Sequence, residues 1–234
     1  MNKTIGILGG MGPMATCDLM KKIIEQTDAS CDQEHIRICV DSNTNIPDRT
    51  KAILYGGENP VPEMVKSALY LQSMGADVII MPCNTAHFFL EDVQKFVNVP
   101  ILNMPMETAI ACKKKGVKSA AILATEGTIN SGIYHKALKS QEICPVIPNA
   151  EEQKIITSII YDFVKAGKPH PYERKLAQMI SRFTSLGVEA LILGCTELPI
   201  AFSQTETAIA LIDPTLILAA AAIQFVKNET KLAQ

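Results

Sequence analysis

Short apolar runs alternate with longer amphipathic stretches along the whole chain. TIGILG (residues 4–9), HIRICVD (35–41), Val78–Met81, VPILNM (99–104), VKSAAILA (117–124), ALILG (190–194) and AIALID (208–213) each read as a strand. Runs this short, rich in Ile, Val and Leu and bounded by glycine, proline or polar residues, fit strands buried on both faces of a parallel sheet. Between them the spacing predicts helices after Pro13, over 60–74, 105–115, 150–166 and 171–186, and a last one after Pro214. Prolines 13, 60 and 62 suit first helical turns, where a missing N–H costs little. SNTNIPDRT (42–50) and TEGTINS (125–131) read as polar turns at strand ends. Strands and helices in alternation mean right-handed βαβ units and an α/β fold.

The pattern also repeats. SMGADVIIMPC (73–83) and SLGVEALILGC (185–195) align at a constant offset of 112. Ser73, Gly75, Ile80 and Cys83 meet Ser185, Gly187, Ile192 and Cys195, and Asp77 meets Glu189. Ile101-Leu102-Asn103 resembles Leu211-Ile212-Asp213, and Ile7-Leu8 corresponds to Ile122-Leu123. The expectation is two pseudo-symmetric lobes, each a mostly parallel sheet flanked by helices, with the active site in the cleft between them. The lobes are expected over 1–112 and 113–213, and 214–234 is expected to form a terminal helix packing back on the N-terminal lobe.

Composition narrows the classes. The chain has 234 residues, 47% hydrophobic and 20% charged, with net charge −2. That is ample for a packed interior, and the absence of a basic stripe argues against nucleic acid as a partner. ALIDPTLILAAAAIQFVKNETK is the most apolar segment, but Asp213 and Pro214 interrupt it and leave it short of the ~18 apolar residues of a membrane span. MNKTIGILGG reads as a strand rather than a secretory leader. Seven cysteines, an odd number without a C-x-x-C, suggest neither a disulfide framework nor a zinc site. A reducing, cytoplasmic setting follows as an expectation.

Cys83 and Cys195 each stand where a strand ends and a helix begins. Open α/β sheets bind ligands at that end. Backbone N–H groups and a helix N-terminus there favour thiolate. A single such cysteine reads equally as a buried small hydrophobe beside an N-cap, the usual fate of a free thiol. Two at matching positions change the balance. Opposed thiols can remove a proton from one face of a carbon and return one to the other. Gly10-Met11-Gly12-Pro13-Met14-Ala15 also matches the dinucleotide pattern G-x-G-x-x-A, with Asp41 as the ribose acid, a reading that leaves both cysteines unexplained. Arg49 reads either as a carboxylate clamp or as a surface arginine paired with Asp48. Thr125 and Thr128 read as cleft residues or as an ordinary N-cap. His87 reads as a neighbour of the thiol or as a buried capping residue.

GILGGMGP, IPDRT, ENP, MPCNTAH, ATEGT, VKAGK and GCTELP, in this order from residue 6 to 199, resemble motifs of the aspartate/glutamate racemase family. The resemblance implies an isomerase that needs no cofactor, neither pyridoxal phosphate nor metal, and that commonly works as a homodimer on a small-molecule amino-acid substrate. It makes Cys83 and Cys195 the acid/base pair. Asn84, Thr85 and Thr196 become donors to the α-carboxylate. Arg49 and Lys165 become candidates for an acidic side chain, which favours aspartate. Met11, Gly12, Thr125 and Thr128 become loop residues around the substrate. Alternatives in the same fold are a broad-specificity or glutamate racemase, or an isomerase of another small carboxylate of the maleate or hydantoin type. From a different class, the glycine loop suggests a nucleotide-binding or ligand-sensing module.

Overall fold

The computed structural model describes residues 3–168, 171–203, 205 and 207–230. The chain divides into two compact units, one made by the described residues of Met1–Glu107 and Thr215–Gln234, the other by Thr108–Pro214.

In the first unit, β1 (Thr4–Gly9) leads into α1 (Pro13–Gln26), then β2 (Arg37–Ser42), α2 (Arg49–Tyr55), α3 (Val61–Ser73) and β3 (Val78–Ile80). A 3₁₀ turn at Thr85–Phe89 and α4 (Leu90–Gln94) follow, and α5 (Met104–Lys114) carries the chain across the division. The division thus falls inside α5 rather than at 112/113. In the second unit come β4 (Ser119–Ala124), α6 (Glu126–Ser131), α7 (Ile133–Ser140), β5 (Cys144–Val146) and α8 (Ala150–Ser158). A π-wound segment, Ile159–Val164, continues α8. Then come α9 (Glu173–Ser185), β6 (Ala190–Gly194), α10 (Leu198–Ala201) and β7 (Ala210–Ile212). The last helix, α11 (Pro214–Thr230), returns to the first unit, and residues 231–234 of the expected terminal helix lie outside the described residues.

All paired strands are parallel, in the order β2-β1-β3 in one unit and β5-β4-β6-β7 in the other. The register repeats with the sequence. Ile7 lies opposite Ile80, and Ile122 lies opposite Ile192. Ile79 bridges Ile101, as Leu191 pairs with Leu211. VPILNM is therefore only a bridge where a strand was expected. Pro100 has no N–H to extend a ladder, and the contact consists of Ile79 N–H donating to Pro100 O and Leu102 N–H donating to Ile79 O.

Both faces of the first sheet are covered. Ile5, Ile7, Val78 and Ile80 pack with Leu19 and Ile23 of α1 and with Leu218, Ala219, Ala222, Ile223 and Val226 of α11. Leu8, Ile79 and Met81 face the other way, onto Met64, Ala68 and Leu71 of α3. This alternation is the period of two expected of a strand, and burial on both sides explains why the runs look uniformly apolar. In the second unit Leu123, Leu191 and Leu193 pack with Ile156, Ile160, Leu176, Met179 and Phe183 from the α8 region and α9. No helix among the described residues is long and apolar enough to cross a membrane.

Candidate active site

The repeated segment begins as a helix ending. Gly75 and Gly187 take the left-handed conformation, with φ of 87° and 71°. Ala76 N–H reaches back to Leu71 O, and Val188 N–H to Phe183 O, closing the same helix-ending turn. Ser73 Oγ donates to Tyr70 O and Ser185 Oγ to Arg182 O. The acids come next. Asp77 Oδ2 accepts from Thr4 N–H at 2.7 Å, and Glu189 Oε2 accepts from Lys118 N–H. Each acid thereby fastens its strand to the start of the neighbouring one. Ile80 and Ile192 fill the core. Serine, glycine, acid and isoleucine each serve the fold. The two cysteines lie just beyond the strands, each among the buried residues of its unit's core.

In the first unit Cys83 follows β3 and is 7% exposed. Asn84 and Thr85, both buried, open the 3₁₀ turn behind it. His87 is also buried, its Nδ1 2.9 Å from Cys83 O. Burial lowers its pKa to about 4 against the upward pull of the Cys83, Leu102 and Asn84 carbonyls, so it is neutral near pH 7. His87 is thus a buried residue that lies against the backbone of Cys83. The glycine loop lies at the end of β1. Gly10 has φ of 89°, and a Cβ there would fall 2.3 Å from the Asn43 backbone, so only glycine fits. Its N–H donates to Thr16 Oγ1, which in turn donates to Gly12 O. A Cβ at Gly12 would meet nothing within 4 Å, so packing does not demand the fingerprint's second glycine.

Arg49 opens α2. Its Nη1 donates to Ile46 O and Pro47 O, and its Nη2 to Met11 O. Its Nε is buried without a hydrogen-bond partner among the described residues. Asp48 instead caps α2, accepting from Lys51 N–H at 2.7 Å, so the Asp48–Arg49 surface pair is not formed. Met11 and Arg49, far apart in sequence, are thus brought together.

In the second unit three predicted residues meet on one that was quoted in a motif but given no role. Cys195 Sγ donates to Glu197 Oε2 at 2.9 Å, and Thr196 Oγ1 donates to the same oxygen at 3.0 Å. Lys165 Nζ lies 3.1 Å from Oε1 of the same carboxylate. Burial pushes the Cys195 thiol well above its ordinary value, and the Glu197 charge and hydrogen bond push it further, with Lys165 opposing. Burial also pushes Glu197 up, but Lys165 and the bonds from Cys195 and Thr196 outweigh it and leave its carboxyl below the usual value. The expectation that a helix N-terminus would favour a Cys195 thiolate is therefore corrected. The helix after Cys195 is only Leu198–Ala201, and a carboxylate sits nearer. Lys165 itself caps the π-wound segment, a departure from regular helix that the sequence did not signal. At the end of β4, Thr125 caps α6. Its Oγ1 accepts from Thr128 N–H and lies 3.0 Å from Thr128 Oγ1, so TEGTINS is helix rather than turn. Among the described residues no three His, Cys, Asp or Glu side chains converge as metal ligands would.

The sequence profile described as Asp/Glu/Hydantoin racemase matches residues 8–222, almost the whole chain and both strand-end cysteines. The chain belongs to the Asp/Glu/hydantoin racemase family. Racemases are isomerases, and amino-acid racemisation is the activity this membership carries. Among family members, the Picrophilus torridus aspartate racemase superposes with a TM-score of 0.84 at 37% identity, covering 96% of this chain and 94% of that one. The broad specificity amino-acid racemase RacX of Bacillus subtilis is 30% identical over 223 residues, 92% of this chain and 94% of the relative. A glutamate racemase from Francisella tularensis shares the fold, with a TM-score of 0.70 at 20% identity over 98% of this chain and 82% of that one. The two-lobed α/β architecture is thus the family's.

Proposed function

We propose that this chain inverts the α-carbon of a free amino acid, aspartate foremost, with Cys83 and Cys195 as a cofactor-independent acid/base pair. One observation carries the reading. Of the residues the two halves share, the cysteines have no part in the turn, the strand clasp or the sheet, and they alone carry a side chain able to give up and take back a proton on carbon. Folding gives no reason for a second cysteine at the same strand end, whereas a two-base inversion does.

The α-hydrogen of an amino acid is a very weak acid, so the protein must supply the electrostatics that a cofactor otherwise would. In the proposed reaction one sulfur, as thiolate, takes the α-proton while the other, as thiol, delivers a proton to the opposite face. The reverse direction exchanges the roles. Asn84, Thr85 and Thr196 donate to the α-carboxylate as it gains enolate character. Arg49 and Lys165 take the side-chain carboxylate, and Met11, Gly12, Thr125 and Thr128 complete the surrounding loops. Arg49 suits this, because among the described residues its hydrogen bonds go only to carbonyl oxygens, which leave its charge unneutralised. The enzyme is proposed to be a cytoplasmic homodimer. Seven free cysteines favour a reducing compartment, and light scattering tests the dimer.

A second reading concerns breadth. Lys165 is engaged by Glu197 in this structure, and the Bacillus subtilis relative is named for broad specificity. Both observations favour a wider range of amino acids over strict aspartate selection.

Proton NMR in D₂O, with chiral chromatography of the products, separates these readings. Exchange with inversion confined to aspartate supports the first, and inversion across a panel supports the second. Cys83→Ala and Cys195→Ala are each expected to lower racemisation by at least the roughly 10²–10⁴-fold typical of a lost acid or base. Racemisation surviving in the double variant overturns the mechanism. No exchange with any amino acid, from folded and reduced protein, turns the assignment to a maleate- or hydantoin-type isomerase.

A further inference from the structure

The two proposed thiols are not equivalent. The second residue after Cys83 is Thr85, and the second after Cys195 is Glu197. Glu197 is mostly buried, with its side chain 14% exposed, and accepts from the thiol, from the Thr196 hydroxyl and from the Lys165 ammonium. A carboxylate 2.9 Å from a sulfur can stay ionised beside S–H. Beside S⁻ it would face a like charge in a site largely shut off from water. We propose that Glu197 is a positioning residue that holds Cys195 in its thiol form, making Cys195 the resting proton donor of the pair.

The proposal rests, for its use in catalysis, on the racemase reading above. In one turnover the Cys195 S–H bond breaks, its proton goes to the α-carbon, and the sulfur keeps the electron pair. Cys83, acting as the base of that turnover, has meanwhile gained the substrate's α-proton. Water then returns a proton to Cys195 and accepts one from Cys83, and Glu197 drives this reset because it disfavours the adjacent thiolate. Lys165 limits the effect by neutralising part of the carboxylate's charge. Among the described residues, the groups that bear on the thiol electrostatically are Glu197 of its own loop, Lys165 at the end of the π-wound segment and Tyr134 of α7. Tyr134 is fully buried and its hydroxyl stays neutral, so the balance lies between Glu197 and Lys165.

The test is the pH dependence of Cys195 alkylation by iodoacetamide in the full-length protein without substrate, followed by peptide mass mapping. In the unaltered protein the midpoint is expected above the roughly 8.5 of an ordinary thiol. Glu197→Gln keeps the shape and removes the charge, and is expected to lower the midpoint by about one pH unit or more. Glu197→Asp, which keeps the charge, should restore it, and Lys165→Met should raise it. A merely structural Glu197 would leave the profile in place. An ordinary or low midpoint in the unaltered protein, or an unmoved midpoint in folded Glu197→Gln, overturns the proposal. Alkylation needs no turnover, so this result is independent of whether the racemisation assay succeeds.

Discussion

At the scale of single residues, burial and the nearest charge decide what each titratable group can do. His87 and Cys195 occupy comparable strand-end loops, and burial is the first cause that holds each neutral. His87 is starved of water and left against carbonyls. Cys195 is buried and also faces a carboxylate. The His87 case has a measurable consequence for stability. Its folded pKa of about 4 lies below the ordinary value of 6.5, so between these pH values the unfolded chain binds the proton and the folded chain does not. Stability therefore falls as pH drops through this window and levels off beneath it, a loss on the order of 3 kcal/mol. Urea unfolding at pH 7 and pH 4.5 should show it, and His87→Gln should flatten the difference. An equal pH slope in that variant would mean other groups carry the effect.

At the scale of elements, the helix-ending turn before each cysteine strand is the unit that the sequence repeats. Gly75 and Gly187 have positive φ and open space around the missing Cβ, so alanine would meet strain and no clash. Gly75→Ala and Gly187→Ala should each cost about 1–2 kcal/mol in unfolding experiments. Both should retain racemisation, whereas the cysteine variants lose racemisation and keep stability. That opposite pattern distinguishes residues repeated for folding from residues repeated for chemistry. Some elements escaped the hydrophobic pattern for physical reasons. β5 pairs with β4 alone, and as an edge strand it tolerates Pro145. α2 and α6 are at most two turns long, too short to show an amphipathic period, and each starts on a capping side chain, Asp48 and Thr125.

At the scale of the whole molecule, the chain's end completes its beginning. α11 covers the β1–β3 face of the first unit, where Ala219 and Ala222 are fully buried and small enough to let the helix lie close. Ala222→Asp would bury an unpaired charge there and should destabilise the first unit by about 3 kcal/mol or more. Limited proteolysis should then show faster cleavage within residues 3–107 while 108–214 remains protected. Equal loss in both would mean the units unfold as one.

The sequence alone determined most strands of both sheets, the repeat and the two cysteines at matching strand ends. These are local properties, because a strand buried on both faces must be apolar along its length, and a turn into a strand needs its glycine and acid at fixed spacing. The register keeps step with that repeat, Ile7 beside Ile80 and Ile122 beside Ile192. Tertiary structure alone decided the partners of the polar groups. Glu197 stood in plain view beside Cys195, but the cation that tempers its charge, Lys165, arrives from the end of a π-wound segment on another element. Likewise Arg49 turned from Asp48 to the Met11 carbonyl, because Asp48 was taken by the first turn of α2. Hydrophobic burial is set by composition along the chain. Hydrogen bonds and ion pairs are set by which groups the packed elements bring within about 3 Å of one another.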